Sequence, residues 1–195
     1  MQSILGDKMY EILLLKDRVR VPPRIFDEDT SKSVEEAINN KYEGLLSSRQ
    51  GFFLKVVSVN KIGEGEIFSG DGAVYYNVEF EILAYKPVLQ EIVEGIITEI
   101  TEFGCFVNIG PISGLAHVSQ VMDDFDSYSK AGSLQGKRSN RSIKVGDVVR
   151  ARIVAVSLKS LQTAKIGLTM RQPGLGKIEW IKEEIEKNRK VKKNG

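Results

Sequence analysis

The sequence predicts an α+β N-terminal domain followed by an all-β barrel and a short C-terminal helix. Three observations support this fold class. One helical pattern lies among long strand patterns in residues 9–88, five short strand patterns follow in residues 89–171, and helical spacing returns in residues 172–195. At 195 residues the chain is long enough for two modest domains that each bury a core.

The first domain begins with a strand. Residues 1–8 show no periodicity, and we expect them to be an extension outside the fold. From Met9 the residues are mostly apolar as far as Leu15, and then charged and apolar residues alternate up to Val21. Pro22 and Pro23 follow and end the strand, because proline has no amide hydrogen to donate.

One helix is predicted after this strand. Apolar residues recur there at helical spacing, and Gly44 is expected to end the helix. Ser33 and Glu36 have the spacing of a capping box. The side chains that could cap the first turn are Asp29, Thr30, Ser31 and Ser33.

Two strands and two glycine-rich turns complete the domain. Residues 52–62 are predicted to form a strand that ends at a turn made of Gly63, Glu64 and Gly65. A second turn signal contains Gly70, Asp71 and Gly72. In residues 73–85 apolar side chains alternate with polar and tyrosine side chains, so one helix would not cover all the apolar surface. We therefore expect another protein to lie against this strand.

Residues 89–171 predict a small closed barrel of the OB type. The five strand patterns are residues 90–100, 105–109, 115–118, 147–157 and 165–170. The polar stretch 119–144 is longer than most loops, which makes it a candidate for a functional or partly mobile segment. After residue 172 a short charged helix is expected, with Ile178, Ile181 and Ile185 as its apolar stripe and a basic tail behind it.

Charge and cysteine content restrict the class of function. The 28 basic and 26 acidic residues give a net charge of +2, which excludes a histone-like polycation but not a local basic face. A single cysteine excludes an internal disulfide framework and fits a reducing cytoplasm. One cysteine and one histidine also argue against a protein-built zinc site, which usually needs three or four such ligands. No apolar run approaches the ~18 residues of a membrane span. We expect a cytoplasmic chain without cofactor, metal or membrane contact.

Two phenylalanines and a histidine in the barrel suggest a surface for single-stranded RNA. Phe103 and Phe106 flank a glycine, which allows a close backbone approach that turns both rings outward, and His117 follows on the next strand. Unstacked bases regain roughly 1–3 kcal/mol each by stacking on such rings. Basic side chains would hold the phosphates: Lys165 on the last strand, and Lys130, Lys137, Arg138 and Arg141 in the long connection. Taken alone, each group is more typical of a core, structural or solvated role, and only the joint pattern favours RNA binding.

The sequence around these rings resembles a known family. Residues 93–119, VEGIITEITEFGCFVNIGPISGLAHVS, are similar to the S1-like RNA-binding domain, an OB-fold module. The resemblance implies that Phe103, Phe106 and His117 face RNA. Many members add an aspartate and an arginine near the last two strands, where this chain has Ser157 and Lys165.

The resemblance extends over residues 9–184. VRVPP at 19–23, GDGAVYYNVEFE at 70–81, KPVLQEIVEG at 86–95 and KIGLTMRQPGLGKIEWI at 165–181 resemble the E-prime family of archaeal DNA-directed RNA polymerase stalk proteins, counterparts of the seventh subunit of eukaryotic polymerases. This implies a truncated RNP-like N-terminal tip domain that docks on the polymerase core, and nascent RNA near the barrel. It also implies a heterodimer with a small stalk partner known as F. The glycine turns, Gly63 to Gly65 and Gly70 to Gly72, are the candidate docking loops.

The sequence offers little support for catalysis. Asp123 and Asp124, with Asp126 nearby, are typical of capping or solvated residues more than of a magnesium site. No phosphate-binding loop or nucleophile elbow is present. We expect a member of an enzyme complex that has no catalytic residue of its own. The alternative is an RNA-binding adaptor of an exosome-like decay complex, and a free-standing RNA chaperone would not need residues 9–87.

Overall fold

The chain passes from one packing unit to the next between Lys86 and Pro87. The computed structural model describes residues 9–123, 125–129, 132–137, 139, 141–158 and 165–193. Of the residues singled out from the sequence, the extension 1–8, Asp124, Lys130 and Arg138 lie outside these ranges. None of the helices within the described residues is both long and apolar enough to cross a membrane.

The first unit is a helix packed on a four-stranded antiparallel sheet, as the sequence predicted. Its elements are β1 (Tyr10–Val21), a short 3-10 helix (Pro23–Ile25), α1 (Thr30–Tyr42), β2 (Leu46–Ser47), β3 (Gly51–Ile67) and β4 (Val74–Tyr85). The strands are ordered β1-β4-β3-β2. Alternate residues of β4, among them Val78, Phe80 and Ile82, are buried in one core with Val34 and Ile38 of α1. The two-residue strand β2 was not predicted, because it is too short to show a period.

Helix α1 starts one turn before the capping-box serine. Asp29 is the cap, and its side chain accepts a hydrogen bond from the Ser31 amide at 2.9 Å. Ser33 is buried inside the first turn, where its hydroxyl accepts from the Asp27 amide at 2.8 Å. Gly44 follows the helix with a φ of +75°, a conformation that glycine adopts without strain.

Strand β3 continues through the first predicted glycine turn, so that prediction was wrong. Gly63, Glu64 and Gly65 lie within the strand, at a shift of register against β4. A Cβ atom on Gly65 would lie 2.7 Å from Val74 and 2.9 Å from the ring of Tyr76. The glycine is needed because a side chain of the neighbouring strand lies over it, and not because the chain reverses.

The second unit contains a closed five-stranded barrel. Its elements are β5 (Ile92–Thr101), β6 (Gly104–Asn108), β7 (Ser113–His117), α2 (Val118–Val121), β8 (Phe125–Ser129), β9 (Ser133–Gly136), β10 (Ser142–Lys144), β11 (Val148–Ser157), β12 (Lys165–Thr169), β13 (Gly176–Lys177) and α3 (Ile178–Lys193). One sheet runs β12-β7-β6-β5-β11-β13, and the pairing of β12 with β11 closes it. Strand β12 runs parallel to β7, with Gly167 opposite Leu115. The prediction of an OB-type barrel is confirmed.

The long connection after β7 is structured rather than a plain loop. Helix α2 and a three-stranded sheet in the order β10-β9-β8 lie within it, and Leu134 and Ile143 are fully buried there. These strands are short and rich in serine, so their period is too weak to identify from sequence.

The C-terminal helix buries a different stripe from the predicted one. Trp180 and Ile181 are buried, whereas Ile185 is 47% exposed. The Arg141 guanidinium lies 5.1 Å from the Trp180 ring and donates to Glu184 at 2.6 Å. The tryptophan, and not the third isoleucine, therefore sets the face that α3 buries.

Candidate nucleic-acid interface and docking loop

Phe106 and His117 lie on the same outer face of the barrel. Strand β6 alternates, with Cys105 and Val107 buried inside and Phe106 facing outward. On β7, Leu115 pairs with Phe106 and His117 pairs with Gly104, so the histidine is a diagonal neighbour of the phenylalanine. This arrangement leaves two flat rings side by side at the surface.

Phe103 stands at the end of the same face. Its side chain is 64% exposed, which is unusual for phenylalanine. Its carbonyl accepts a hydrogen bond from the Val118 amide at 2.9 Å, which holds the residue next to His117. The three predicted residues are thus brought together at one edge of the barrel.

Gly104 permits this arrangement. With a φ of +155°, a Cβ atom there would lie 2.1 Å from the carbonyl oxygen of Ala116. No side chain fits at that distance, so strands β6 and β7 can approach only because the residue is glycine. The close approach fixes both Phe103 and His117 relative to the barrel.

The His117 ring has a defined orientation. Its Nδ1 accepts from the Ser119 amide at 3.3 Å and lies 2.8 Å from the Ser119 hydroxyl. Because a backbone amide can only donate, Nδ1 carries no proton in this arrangement and the neutral ring has its proton on Nε2. The ring therefore offers one hydrogen-bond donor as well as a flat surface.

The predicted basic residues that the structure describes, Lys165, Arg141 and Lys137, lie in different parts of the second unit. Lys165 is exposed and pairs with Ser157 of β11. It lies two residues before Gly167, which pairs with Leu115 of β7. Arg141 is held by Glu184 and Trp180, so its guanidinium supports α3. Lys137 is exposed at the end of β9.

A basic residue that the sequence did not single out is linked to the His117 ring through Ser119. Arg171 donates through Nη1 to the carbonyl of Ser119 at 3.1 Å, and Ser119 also contacts His117. Its Nε donates to Asp123 at 2.6 Å. Arg171 comes two residues after the end of β12, and only the fold brings it beside α2.

The second predicted glycine turn is a real turn, between β3 and β4. Gly70 has a φ of +90°. The Asp71 carboxylate accepts from Nε and Nη2 of Arg20 at 2.8 and 2.7 Å, and from the Tyr75 hydroxyl at 2.7 Å. Arg20 first, and then Tyr75, hold the pKa of Asp71 well below its usual range. Asp71 therefore ties the turn to β1 and β4.

Two apolar side chains stand just before this turn. Ile67 is 73% exposed and Phe68 is 44% exposed. The Phe68 ring packs edge-on against Tyr75 at 5.1 Å, and the Arg18 guanidinium lies 4.7 Å from it. We call residues 67–72, which include the candidate docking residues Gly70, Asp71 and Gly72, the docking loop. Its apolar residues could not be predicted from the sequence, because single exposed apolar positions form no pattern.

Comparison with known proteins identifies the family. Residues 86–168 match the S1 RNA binding domain, and residues 16–72 match the SHS2 domain found in the N terminus of Rpb7p and Rpc25p. The DNA-directed RNA polymerase subunit Rpo7 of Sulfolobus acidocaldarius is 41% identical over 182 residues, which cover 92% of this chain and 98% of that protein. The chain belongs to the Rpo7 family of DNA-directed RNA polymerase subunits.

Other Rpo7 relatives match over similar lengths. The Rpo7 subunit of Saccharolobus solfataricus is 39% identical, over 89% of this chain and 97% of that protein. The RNA polymerase II subunit rpb7 of Dictyostelium discoideum is 24% identical, over 87% of this chain and 99% of that protein. The resemblance seen in the sequence is therefore confirmed, and both halves of the chain take part in it.

The Rpo7 matches include both candidate surfaces. The aromatic residues Phe103, Phe106 and His117 lie within the S1 match, and the docking loop lies at the end of the SHS2 match. Among the residues that the structure describes, no cluster of three or more histidine, cysteine or acidic side chains could hold a metal ion.

Proposed function

We propose that this chain is a non-catalytic stalk protein that docks on the polymerase core through its N-terminal unit, pairs with the small stalk partner F, and contacts the emerging transcript through its barrel. In this role it supports transcription initiation and elongation. Membership in the Rpo7 family along 92% of the chain supports the assembly with a polymerase, as opposed to a decay-complex adaptor.

The surface formed by Phe103, Phe106 and His117, which we call the aromatic face, supports transcript contact. One observation carries this part of the proposal: Phe103 stays 64% exposed beside Phe106 and His117, although burial of a phenylalanine normally stabilises a fold. Flat rings on a barrel surface suit bases of single-stranded RNA and give little sequence preference.

The docking loop supports contact with the polymerase core. Asp71 fixes the loop through Arg20 and Tyr75, so little conformational freedom is lost when a partner binds. Ile67 then provides an exposed apolar anchor on a rigid support. Gly70 and Gly72 lie in the turn itself, whereas Gly63 to Gly65 lie in β3, the strand that leads into it.

The outer face of the sheet supports pairing with the stalk partner F. Tyr10, Ile12 and Leu14 of β1 are 47%, 56% and 57% exposed, and Leu83 of β4 pairs with Ile12 on the same face. We call these four residues the apolar patch. In the part of the chain that the structure describes, β1 pairs only with β4, so its other edge offers backbone groups to a partner as well.

The RNA-binding part is tested by replacing both rings. Phe103→Ala with Phe106→Ala should weaken binding of a labelled single-stranded oligouridine by at least about tenfold, since each lost stack is worth roughly 1–3 kcal/mol. Fluorescence anisotropy with the full chain measures the affinity. Phe26→Ala, which removes another half-exposed phenylalanine from the first unit, is the matched control. Equal affinity of wild type and double variant would show that stacking plays no part.

A further inference from the structure

Lys165, the predicted cation of the last barrel strand, lies away from His117. Lys165 is the first residue of β12, whereas His117 is the last residue of β7, which runs parallel to it. A face that only stacks bases leaves the phosphates of the strand without a partner. The structure offers a different cation on the His117 side.

Arg171 and His117 are held by the same residue. The Ser119 amide and hydroxyl contact the His117 ring at 3.3 and 2.8 Å, and the Ser119 carbonyl accepts from Arg171 Nη1 at 3.1 Å. Ser119 therefore links the His117 ring to this guanidinium. The Ser119 carbonyl also restrains the Arg171 side chain, so little conformational freedom is lost when the guanidinium binds a ligand.

The remaining contact of Arg171 is with a carboxylate at the surface. Asp123 Oδ1 accepts from Arg171 Nε at 2.6 Å, and the Asp123 side chain is 73% exposed. Exposed ion pairs of this kind contribute little to stability and exchange readily with other anions. A phosphate presents the same oxygen acceptors and binds guanidinium groups well.

Space is available beside this pair. Asp123 and Arg171 line a cleft of about 420 Å³ whose walls include Met122, Met170 and Trp180. Arg171 lines this cleft and also donates to the Ser119 carbonyl, so it connects the cleft to the residue that contacts His117.

We propose that Arg171 binds a phosphate of the RNA strand, and that Asp123 occupies the same guanidinium until the phosphate displaces it. This inference rests on the proposed RNA-binding function and adds two roles to it: a cation that binds the backbone, and a carboxylate that weakens binding by competing for the cation.

Two neutralising variants test the inference in opposite directions. Arg171→Gln should weaken binding of labelled oligouridine to the full chain about threefold to tenfold, and should lower the slope of log affinity against log salt by about 0.7, the value for one phosphate on a single strand. Asp123→Asn should tighten binding about threefold, because Arg171 is then free for the phosphate. In the double variant Asp123→Asn with Arg171→Gln, the gain should disappear.

A second ion pair of the same unit provides the matched controls. Arg150 and Glu94 pair at 2.7 Å, also at the surface, on strands β11 and β5. Arg150→Gln and Glu94→Gln change the net charge by the same amounts, so neither should reproduce the effects. The thermal melting of each variant shows whether the fold is retained.

The outcomes separate the inference from the proposed function. If Phe103→Ala with Phe106→Ala weakens binding but Asp123→Asn has no effect, the role of Arg171 is wrong and the aromatic face stands. The inference is also overturned if Glu94→Gln tightens binding as much as Asp123→Asn, because net charge then explains the gain. If the wild type binds no RNA, or the phenylalanine variant binds normally, the proposed function fails and the inference with it.

Discussion

Gly104 is the residue on which the aromatic face depends most. The strand pairing places the carbonyl of Ala116 where its Cβ would be, and Phe103 and His117 are fixed on either side of this approach. The ring positions therefore follow from the absence of a side chain as much as from the rings themselves.

Gly104→Ala should destabilise the chain strongly. The new methyl group would meet backbone atoms that cannot move aside, and we expect a loss of roughly 1–3 kcal/mol or more in the free energy of unfolding. Gly146→Ala is the control, since Gly146 also has a positive φ, of +91°, but open space around it. Urea unfolding measures both. Equal losses in the two variants would mean that backbone strain, and not the close approach, accounts for the effect.

At the level of single residues the sequence predicted the rings better than the cations. Phe106 and His117 alternate with buried neighbours on adjacent strands, so their common face follows from a period of two. Their role in binding RNA stays a prediction. The sequence could not show which of Arg141 and Arg171 lies near the rings. Their partners, Glu184 and Ser119, come from distant parts of the chain.

Among the elements, the hairpin of β3 and β4 shows how a strand can carry a docking loop. The register of the two strands shifts four times, and the last shift is at Gly65, just before Ile67. Such bulges increase the twist of a strand. The glycines at 63 and 65 thus help to set the direction of the loop without being part of it.

Ile67→Asp should weaken docking on the polymerase core. A charge at the exposed end of the loop would have to be desolvated in an apolar contact, and we expect an affinity loss of about tenfold or more. The measurement is binding of the full chain, together with the stalk partner F, to a core enzyme from which both stalk proteins have been removed. Val57→Asp places the same charge at a 51% exposed position of the same strand and should bind normally. Similar losses in both variants would argue against the docking loop.

The elements that were predicted well are those with a long regular period. Strands β1 and β4 extend over twelve residues each, and the structure has them within one residue of the predicted bounds. Helix α1 repeats over thirteen residues and ends just before Gly44 as predicted, although it begins one turn before the capping-box serine. The predicted strand over residues 52–62 is shorter than β3, because a Gly-x-Gly segment is typical of a turn. The side chains that lie over Gly65, Val74 and Tyr76, are on another strand and are not visible in the local sequence.

For the whole molecule, the family relationship and the surface chemistry point to an assembly. The relatives match the chain along nearly all its length. The apolar patch on the first unit and the aromatic face on the second are different in kind, since the patch is aliphatic with one tyrosine and has a free strand edge beside it. Such a surface suits a protein partner more than RNA.

Ile12→Asp with Leu14→Asp should prevent pairing with the stalk partner F. Two charges in the apolar patch would be buried without partners, so the two co-expressed proteins should no longer purify as a one-to-one pair. Size-exclusion chromatography with mass determination reads the outcome. Val145→Asp, at a half-exposed position of the second unit, should leave the pair intact. A stable pair in the double variant would place the partner elsewhere.

Cys105 has a practical consequence for such experiments. It is the one cysteine of the sequence, its side chain is fully buried in the barrel, and burial raises the pKa of its thiol to about 12. Maleimide dyes and spin labels, which react with accessible thiolates, should therefore leave the folded chain unmodified. A single cysteine introduced in the docking loop or beside the aromatic face then carries a label without any background mutation. Modification of Cys105 itself reports how often the barrel opens.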